Sequence, residues 1–258
     1  MKLDDDSIAW QFEAYRWFLE NFGGWKEFEK TQLALPIRSH FAGKCPEDIF
    51  EEVKVLAQME EWPCRLEMIQ QEQGLEEILR TVPHRMDNSS AAGDFRVSEE
   101  EVVIRYAERS ARNLPVLIST LAHELAHYLM LTAKTDPPQG WENHEYTTDL
   151  CAVFMGFGVF LANTSFEFSQ FSDGMMIGWQ TSRLGYLGEL DLSYGLALYC
   201  LLQDIPYVEV KPHLKRNPRS YTKTGMKHLK KKFEAQVEEL RSIAQDVGAS
   251  GGSEAQSR

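Results

Sequence analysis

Residues 114–132 read LPVLISTLAHELAHYLMLT, a run that fits a helix of about five turns. Asn113 can cap the start of this helix, and Pro115 falls in its first turn, where an N–H would have no helical partner. With about 100° of rotation per residue, His123 and His127 lie about 40° apart on one face. The opposite face carries the aliphatic residues Leu117, Ile118, Leu121, Leu125 and Leu129. The pattern predicts a helix that is buried on one side and directs two imidazoles outward on the other.

The rest of the chain predicts a small sheet with helices around it, which is an α+β class. Apolar periodicity and Pro and Gly signals predict helices near 4–22, 46–61, 141–162, 189–203 and 226–247. Alternating or short apolar runs predict strands at 64–69, 95–97 and 102–106. The last two strands are close enough for a hairpin across residues 98–100.

These elements divide the chain into four parts. We expect a helical N-terminal region at 1–70 that packs on the core, and a core at 71–210 that carries the chemistry. A basic segment and a C-terminal helix occupy 211–247, and a Gly- and Ser-rich tail at 248–258 is predicted to be disordered. Residues 211–232 contain many Lys and Arg but no Asp or Glu. Their prolines favour a solvated, loop-rich face.

Charge and the N-terminus bear on where the protein works. With 27 Lys and Arg against 39 Asp and Glu, the net charge is −12, so the surface as a whole is a poor ligand for polyanions. The acidic N-terminus does not resemble a secretory signal, and the longest apolar run, 150–162, is too short for a membrane span. The scattered cysteines form no CxxC pair. We expect cytoplasmic localisation, no membrane and no nucleic acid, and leave a regulatory protein partner open.

The spacing His123-Glu124-x-x-His127 is typical of a zinc site on a helix. One turn separates the two imidazoles, so a single metal ion can bridge them. A core helix with two incidental histidines is the alternative. Burying two histidines and a glutamate on one flank would be costly without a metal, which favours the metal site.

A catalytic zinc needs a third protein ligand and an open position. In the next predicted helix, Glu145 and Asp149 are four residues apart and share a face. We expect Glu145 to bind the metal and Asp149 to hydrogen-bond the far nitrogen of a ligating histidine. His144, about 100° from Glu145 around the helix, and Asp149 itself are the alternative ligands. The small residues Ala152 and Gly156 lie on the face of Glu145 and would allow a close approach to the histidine helix.

Together, His123-Glu-Leu-Ala-His127 and Glu145-Tyr-Thr-Thr-Asp149 resemble the HExxH…ExxxD pattern of the gluzincin metallopeptidases. Compact members of that clan, the minigluzincins, look most similar in architecture, and the resemblance covers roughly residues 95–162. It implies a zincin-like fold: a small sheet, an active-site helix and a second helix that bears the third ligand, here with helical extensions at both ends. The metzincin pattern is excluded, because its third histidine would fall at Ala133. The chain otherwise resembles uncharacterised bacterial proteins, which implies no function.

The resemblance implies a zinc-dependent metallopeptidase that acts on peptide or protein substrates. Zinc (Zn2+) held by His123, His127 and Glu145 would activate a water molecule, with Glu124 as the general base. The segment 102–106 matches the clan's edge strand, which pairs with the substrate backbone. Several residues could stabilise the oxyanion, and the choice stays open among Arg183, Tyr186, Tyr194 and His213.

Two other classes of protein fit the same ligands. A non-catalytic, metal-stabilised binding or regulatory module would keep the metal but would have no use for Glu124, and structural zinc prefers four protein ligands. A non-haem iron enzyme also uses two histidines and one carboxylate, but it needs no glutamate inside the histidine pair. The identity of the metal would separate zinc from iron.

Overall fold

The computed structural model describes residues 3–37, 41, 43–69, 93–97, 102–172 and 187–244, with the backbone alone for 93–97 and 166–172. Three strands are present in these ranges: β1 (Arg65–Ile69), β2 (Gly93–Val97) and β3 (Val102–Ala107). The helices up to the candidate site are α1 (Asp5–Asn21), α2 (Gly24–Phe28), α3 (Pro46–Leu56), α4 (Glu108–Ala111), α5 (Leu114–Met130) and α6 (His144–Ala152). Those that follow are α7 (Gly158–Ser172), α8 (Glu189–Leu202), α9 (Tyr207–Val210), α10 (Arg216–Lys232) and α11 (Glu234–Arg241).

The strands form one sheet in the order β1-β3-β2. β1 pairs with β3 in parallel, and β2 pairs with β3 antiparallel, with Val97 opposite Val102. With helices around this small sheet, the predicted α+β class is confirmed, and so is the antiparallel pairing expected for a hairpin. The turn of that hairpin, 98–100, lies outside the described residues.

The prediction that residues 102–106 form an edge strand is wrong, because β3 is the central strand. Its two sides are hydrogen-bonded to β1 and to β2, so it has no free row of N–H and C=O groups for a substrate. The buried run Val102, Val103 and Ile104 is typical of a strand that is covered on both faces. Among the described strands, β2 is an edge, and it packs against α5.

The histidine helix, α5, begins at Leu114 with Pro115 in its first turn, as predicted, although the Asn113 side chain does not cap it. Its aliphatic face is part of the hydrophobic core, and Leu117, Ile118, Leu121 and Leu125 are no more than 1% exposed. β3 leads into α5 through the single turn of α4. The sheet and this helix are therefore connected by a short segment that sets the position of the histidines.

The N-terminal helix packs on the same core. The Tyr15 hydroxyl donates a hydrogen bond to the Gly195 carbonyl at 3.0 Å, and the rings of Phe28 and Phe154 stack with centroids 4.5 Å apart. These contacts join residues of α1 and α2 to α8 and to the segment that follows α6. Helix α3 is shorter than predicted and ends at Leu56, before Gln58 with its positive φ of 58°.

The predicted helix at 141–162 is interrupted. A 3-10 turn (Trp141–Asn143) precedes α6, and a π turn (Val153–Phe157) separates α6 from α7. Gly156 in this π turn has φ of 100°, and a Cβ atom there would lie 2.2 Å from the Gln32 carbonyl oxygen. Gly156 therefore accommodates the 31–37 segment, whose Ala34 N–H donates to the Gly156 carbonyl at 3.0 Å. The expectation that its small size serves the approach of the histidine helix is wrong.

The prediction of a loop-rich basic segment is wrong. Most of the segment forms the helix α10, which spans Arg216–Lys232 and has Pro218 in its first turn. Its buried side packs on α8, where a Cβ atom on Gly225 would lie 3.0 Å from the Ala197 Cβ. The predicted helix at 226–247 is also wrong, since α10 ends at Lys232 and α11 covers only Glu234–Arg241. Part of the predicted helix and the tail at 248–258 lie outside the described residues.

One helical stretch, Trp141–Ser165, is long and apolar enough to cross a membrane by length and composition. In this fold 94% of its 18-residue apolar window is buried. Its apolar side chains are thus accounted for by the core, in which Leu150, Val153 and Phe157 are fully buried.

Candidate metal centre

Helix α5 places three ionisable side chains in the interior. His123, Glu124 and His127 are 4%, 1% and 5% exposed. Their spacing puts the two imidazoles on adjacent turns, with ring centroids 4.6 Å apart and ring planes nearly perpendicular. Three polar groups on a helix with so apolar an opposite face need partners from another element, because burying them alone would be unfavourable.

Helix α6 brings the third member of the cluster. The Glu145 Oε2 atom lies 3.2 Å from His123 Nε2 and 3.5 Å from His127 Nε2, and the two Nε2 atoms are 3.0 Å apart. The three atoms converge on one point, within 4.8 Å of one another, and form a group that could hold a metal ion. The structure thus brings together His123, His127 and Glu145.

The separations of these atoms fit a metal of the size of zinc. Zn–N and Zn–O bonds of about 2.0–2.1 Å in a tetrahedron place neighbouring ligand atoms about 3.3 Å apart. The three observed separations, 3.0, 3.2 and 3.5 Å, lie around that value. Two nitrogens and one carboxylate oxygen are also a donor set that zinc and other divalent transition metals accept. The residues therefore fit such an ion, and the fit does not identify it.

Asp149 lies behind His123 rather than in the triad. Its Oδ1 atom is 2.9 Å from His123 Nδ1, the nitrogen that faces away from Glu145. Its Oδ2 atom accepts a hydrogen bond from the Leu187 N–H at 2.8 Å. Both oxygens are thereby held, and the carboxylate links α5 and α6 to Leu187, two residues before α8. This fixes the orientation of the His123 ring.

Thr148 plays the corresponding part for His127, and the sequence patterns above do not point to it. The buried Thr148 Oγ1 atom lies 3.2 Å from His127 Nδ1 and 2.9 Å from the His144 carbonyl oxygen. A sequence signal exists, because Thr148 and Asp149 are three and four residues after Glu145 and so flank the same helix face. A threonine one residue before an aspartate is too common a pattern to stand out.

His144 lies closer to the site than its position around the helix suggested. Its Nε2 atom is 3.2 Å from Glu145 Oε1, and its Nδ1 atom is 2.5 Å from the Trp141 carbonyl oxygen. The ring folds back on the preceding 3-10 turn because His144 is the first residue of α6. His144 therefore contacts Glu145 Oε1, whereas His123 and His127 lie near Oε2, and it is not itself part of the triad.

The ionisable groups of this cluster shift one another's pKa values. Burial opposes charge on Glu145, yet the imidazoles of His123, His127 and His144 around it hold its pKa well below the usual range. Burial lowers the pKa of His127 to about 4. Burial also disfavours a charged His123, but the hydrogen bonds to Asp149 and Glu145 outweigh it and raise its pKa well above the ordinary value. An ionised carboxylate and a neutral imidazole are ready to bind a cation, which would compete with the proton on His123.

Of the four residues proposed as oxyanion donors, two lie outside the described residues, Arg183 and Tyr186. The Tyr194 hydroxyl lies 3.0 Å from His228 Nδ1, at the contact between α8 and α10. The His213 carbonyl accepts a hydrogen bond from Asn163. Among the residues that the structure describes, no hydrogen bond or ion pair links Tyr194 or His213 to the triad.

Comparisons with known proteins found no matching family model, no matching curated protein and no matching solved structure.

Proposed function

We propose that the protein is a zinc-dependent hydrolase of peptide bonds with a zincin-like catalytic core. The observation that carries the proposal is the position of Glu124 between two histidines whose Nε2 atoms converge with a Glu145 oxygen. A site that only stabilises the fold would have no use for a buried acid there, and it would use four protein ligands. Three ligands leave a position for water and substrate.

His123, His127 and Glu145 would hold the zinc through their Nε2 and Oε2 atoms. When bound, zinc lowers the pKa of a water molecule towards neutrality and polarises the scissile carbonyl. Glu124, one residue after His123, would take the proton from that water and deliver it to the leaving amine. Asp149 and Thr148 hold the two imidazoles in place, so that these atoms need no rearrangement before the reaction.

The sheet suggests where a peptide would bind. Strand β2, an edge among the described strands, packs on α5, which carries the histidines. An extended peptide would add, by backbone hydrogen bonds, to the side of β2 that no described strand occupies. This assigns to β2 the part that was expected of residues 102–106.

Metal analysis and a hydrolysis assay test the proposal together. Protein purified from cells grown without added metal should contain about one zinc per chain, and it should cleave an internally quenched peptide library. The Glu124→Gln variant should keep the zinc and lose cleavage, whereas Glu142→Gln, a change at an exposed glutamate near the site, should retain both. Iron in place of zinc would favour the alternative of a non-haem iron enzyme. Zinc without any cleavage that depends on Glu124 would favour the non-catalytic module.

A further inference from the structure

We propose that Thr148 is a positioning residue that keeps the proton of neutral His127 on Nδ1, so that Nε2 presents its electron pair towards Glu145 and His123. The consequence for zinc rests on the function proposed above, but the tautomer itself does not. The inference comes from three contacts of one buried hydroxyl. Thr148 Oγ1 lies 2.9 Å from the His144 carbonyl oxygen, 3.2 Å from His127 Nδ1 and 3.4 Å from Met130 Sδ.

The hydroxyl has one hydrogen to donate and two lone pairs with which to accept. The His144 carbonyl can only accept, and at 2.9 Å it is a stronger acceptor for that hydrogen than the Met130 sulfur. With the hydrogen directed to the carbonyl, a lone pair of Oγ1 faces His127 Nδ1. The imidazole must then be the donor in that contact, which places its proton on Nδ1.

The opposite tautomer would disturb both ends of the ring. With its proton on Nε2, His127 would direct an N–H at the Nε2 of His123, 3.0 Å away, with Glu145 Oε2 at 3.5 Å, and could not donate an electron pair to a metal. Thr148 would have to turn its hydrogen to Nδ1, which would leave the His144 carbonyl without it. In a buried site the loss of such a hydrogen bond is unfavourable. One hydroxyl therefore couples the His127 tautomer to the first turn of α6.

The two histidines are oriented by adjacent residues of α6 with different chemistry. Asp149 gives His123 a carboxylate, and Thr148 gives His127 a neutral acceptor. Removing such a partner of a metal-binding histidine typically weakens metal affinity about 10–100-fold. The same loss is expected for Thr148→Val, which keeps the shape of the side chain but removes the hydroxyl.

The test uses the full chain and reads the tautomer directly. Long-range 1H–15N correlation spectra of the metal-free protein, at a pH where His127 is neutral, distinguish a proton on Nδ1 from one on Nε2. The wild type and Thr148→Ser should show the Nδ1–H form of His127. Thr148→Val should show the Nε2–H form or a mixture of the two. Thr147→Val is the matched control, because Thr147 is also fully buried on α6 and no described residue hydrogen-bonds its hydroxyl.

Zinc affinity is the second readout, measured by competition with a chelator. Thr148→Val should bind zinc about 10–100-fold more weakly, while Thr148→Ser and Thr147→Val should stay within about threefold of the wild type. If Thr148→Val fails to fold, the pair Thr148→Ser and Thr148→Ala, which differ only by the hydroxyl, replaces it. An unchanged Nδ1–H form of His127 in the variant without the hydroxyl would overturn the proposal. The spectra need neither zinc nor hydrolysis, so a failed peptidase proposal would leave their result interpretable.

Discussion

Asp149 Oδ1 lies 2.9 Å from His123 Nδ1, while the other oxygen of the same carboxylate is held by the Leu187 N–H. His123 is thus fixed through the nitrogen that a metal would not use, by a group that is itself fixed. Such an arrangement raises the basicity of the imidazole and sets its ring orientation before any ligand binds. The arrangement also determines whether the stability of the fold rises or falls with pH.

We expect the metal-free protein to lose stability as the pH rises above about 6.5. The folded-state pKa of His123 is raised well above its ordinary value, and Glu145 also raises that of the half-buried His144. Stabilisation from a raised pKa is fully present below the unfolded-state value and disappears as the pH rises through the folded-state value. On the acid side, the lowered pKa of His127 reduces stability as the pH falls from about 6.5 to about 4, whereas the pKa values of Asp149 and Asp191, which burial raises, act in the opposite direction.

Urea denaturation in the presence of a chelator, at pH values from about 4 to 9, measures this dependence. The free energy of unfolding should fall between pH 6.5 and 9, and this alkaline decline should be shallower in Asp149→Asn. With zinc added, the trend above pH 6.5 should reverse, because the metal competes with the proton on His123. A metal-free protein whose stability rises steadily from pH 6.5 to 9 would show that His123 does not hold the proton.

Glu124→Gln should abolish peptide hydrolysis and leave zinc content and melting temperature unchanged. The change removes the basicity of the side chain but nearly preserves its size, so kcat should fall on the order of 10²-fold or more. Steady-state kinetics on a quenched peptide, with metal analysis of the same sample, measures both properties. Loss of zinc in parallel with activity would mean that Glu124 supports the metal rather than the water.

Gly156→Ala should destabilise the protein by at least about 3 kcal/mol. The positive φ disfavours any side chain, and the added Cβ would overlap the Gln32 carbonyl, which is backbone and cannot turn away. Gly43→Ala separates the two effects, because Gly43 has a φ of 77° and, apart from its chain neighbours, no atom of the described residues lies within 4 Å of the place that a Cβ would take. Thermal melts of both variants should show a clearly larger drop for Gly156→Ala. Equal drops in melting temperature would mean that the positive φ alone, and not the overlap with Gln32, destabilises the variant.

The parts of the fold that the sequence predicted are those set by local spacing. The apolar face of α5, the pairing of His123 with His127 and the four-residue interval from Glu145 to Asp149 all follow from helix geometry. The apolar residues of a buried helix face recur at regular intervals along the chain, so a single sequence is enough to show the pattern. The same spacings predicted the three side chains that the structure brings together, those of His123, His127 and Glu145.

The parts that the sequence missed depend on contacts between distant segments. The central position of β3 is set by its partners on either side, which no local pattern within 102–106 specifies. Position 156 must be glycine because of Gln32, which lies more than a hundred residues away along the chain. The helical state of 216–232 depends on packing against α8. His144 was misplaced because a helical wheel gives the direction of Cβ, whereas the ring of a first-turn residue can fold back on the preceding turn.

The most direct test of the metal centre is the zinc affinity of four variants, measured by equilibrium competition with a chelator. Glu145→Ala should lose most of the bound zinc, since two histidines alone hold it weakly, and Asp149→Ala should bind it about 10–100-fold more weakly. His144→Ala should weaken binding by no more than about tenfold, because its ring contacts only the Oε1 atom of Glu145. Glu142→Ala, at an exposed neighbouring position, should match the wild type. Retention of zinc by Glu145→Ala together with its loss from His144→Ala would contradict the account, since the site would then be a three-histidine centre.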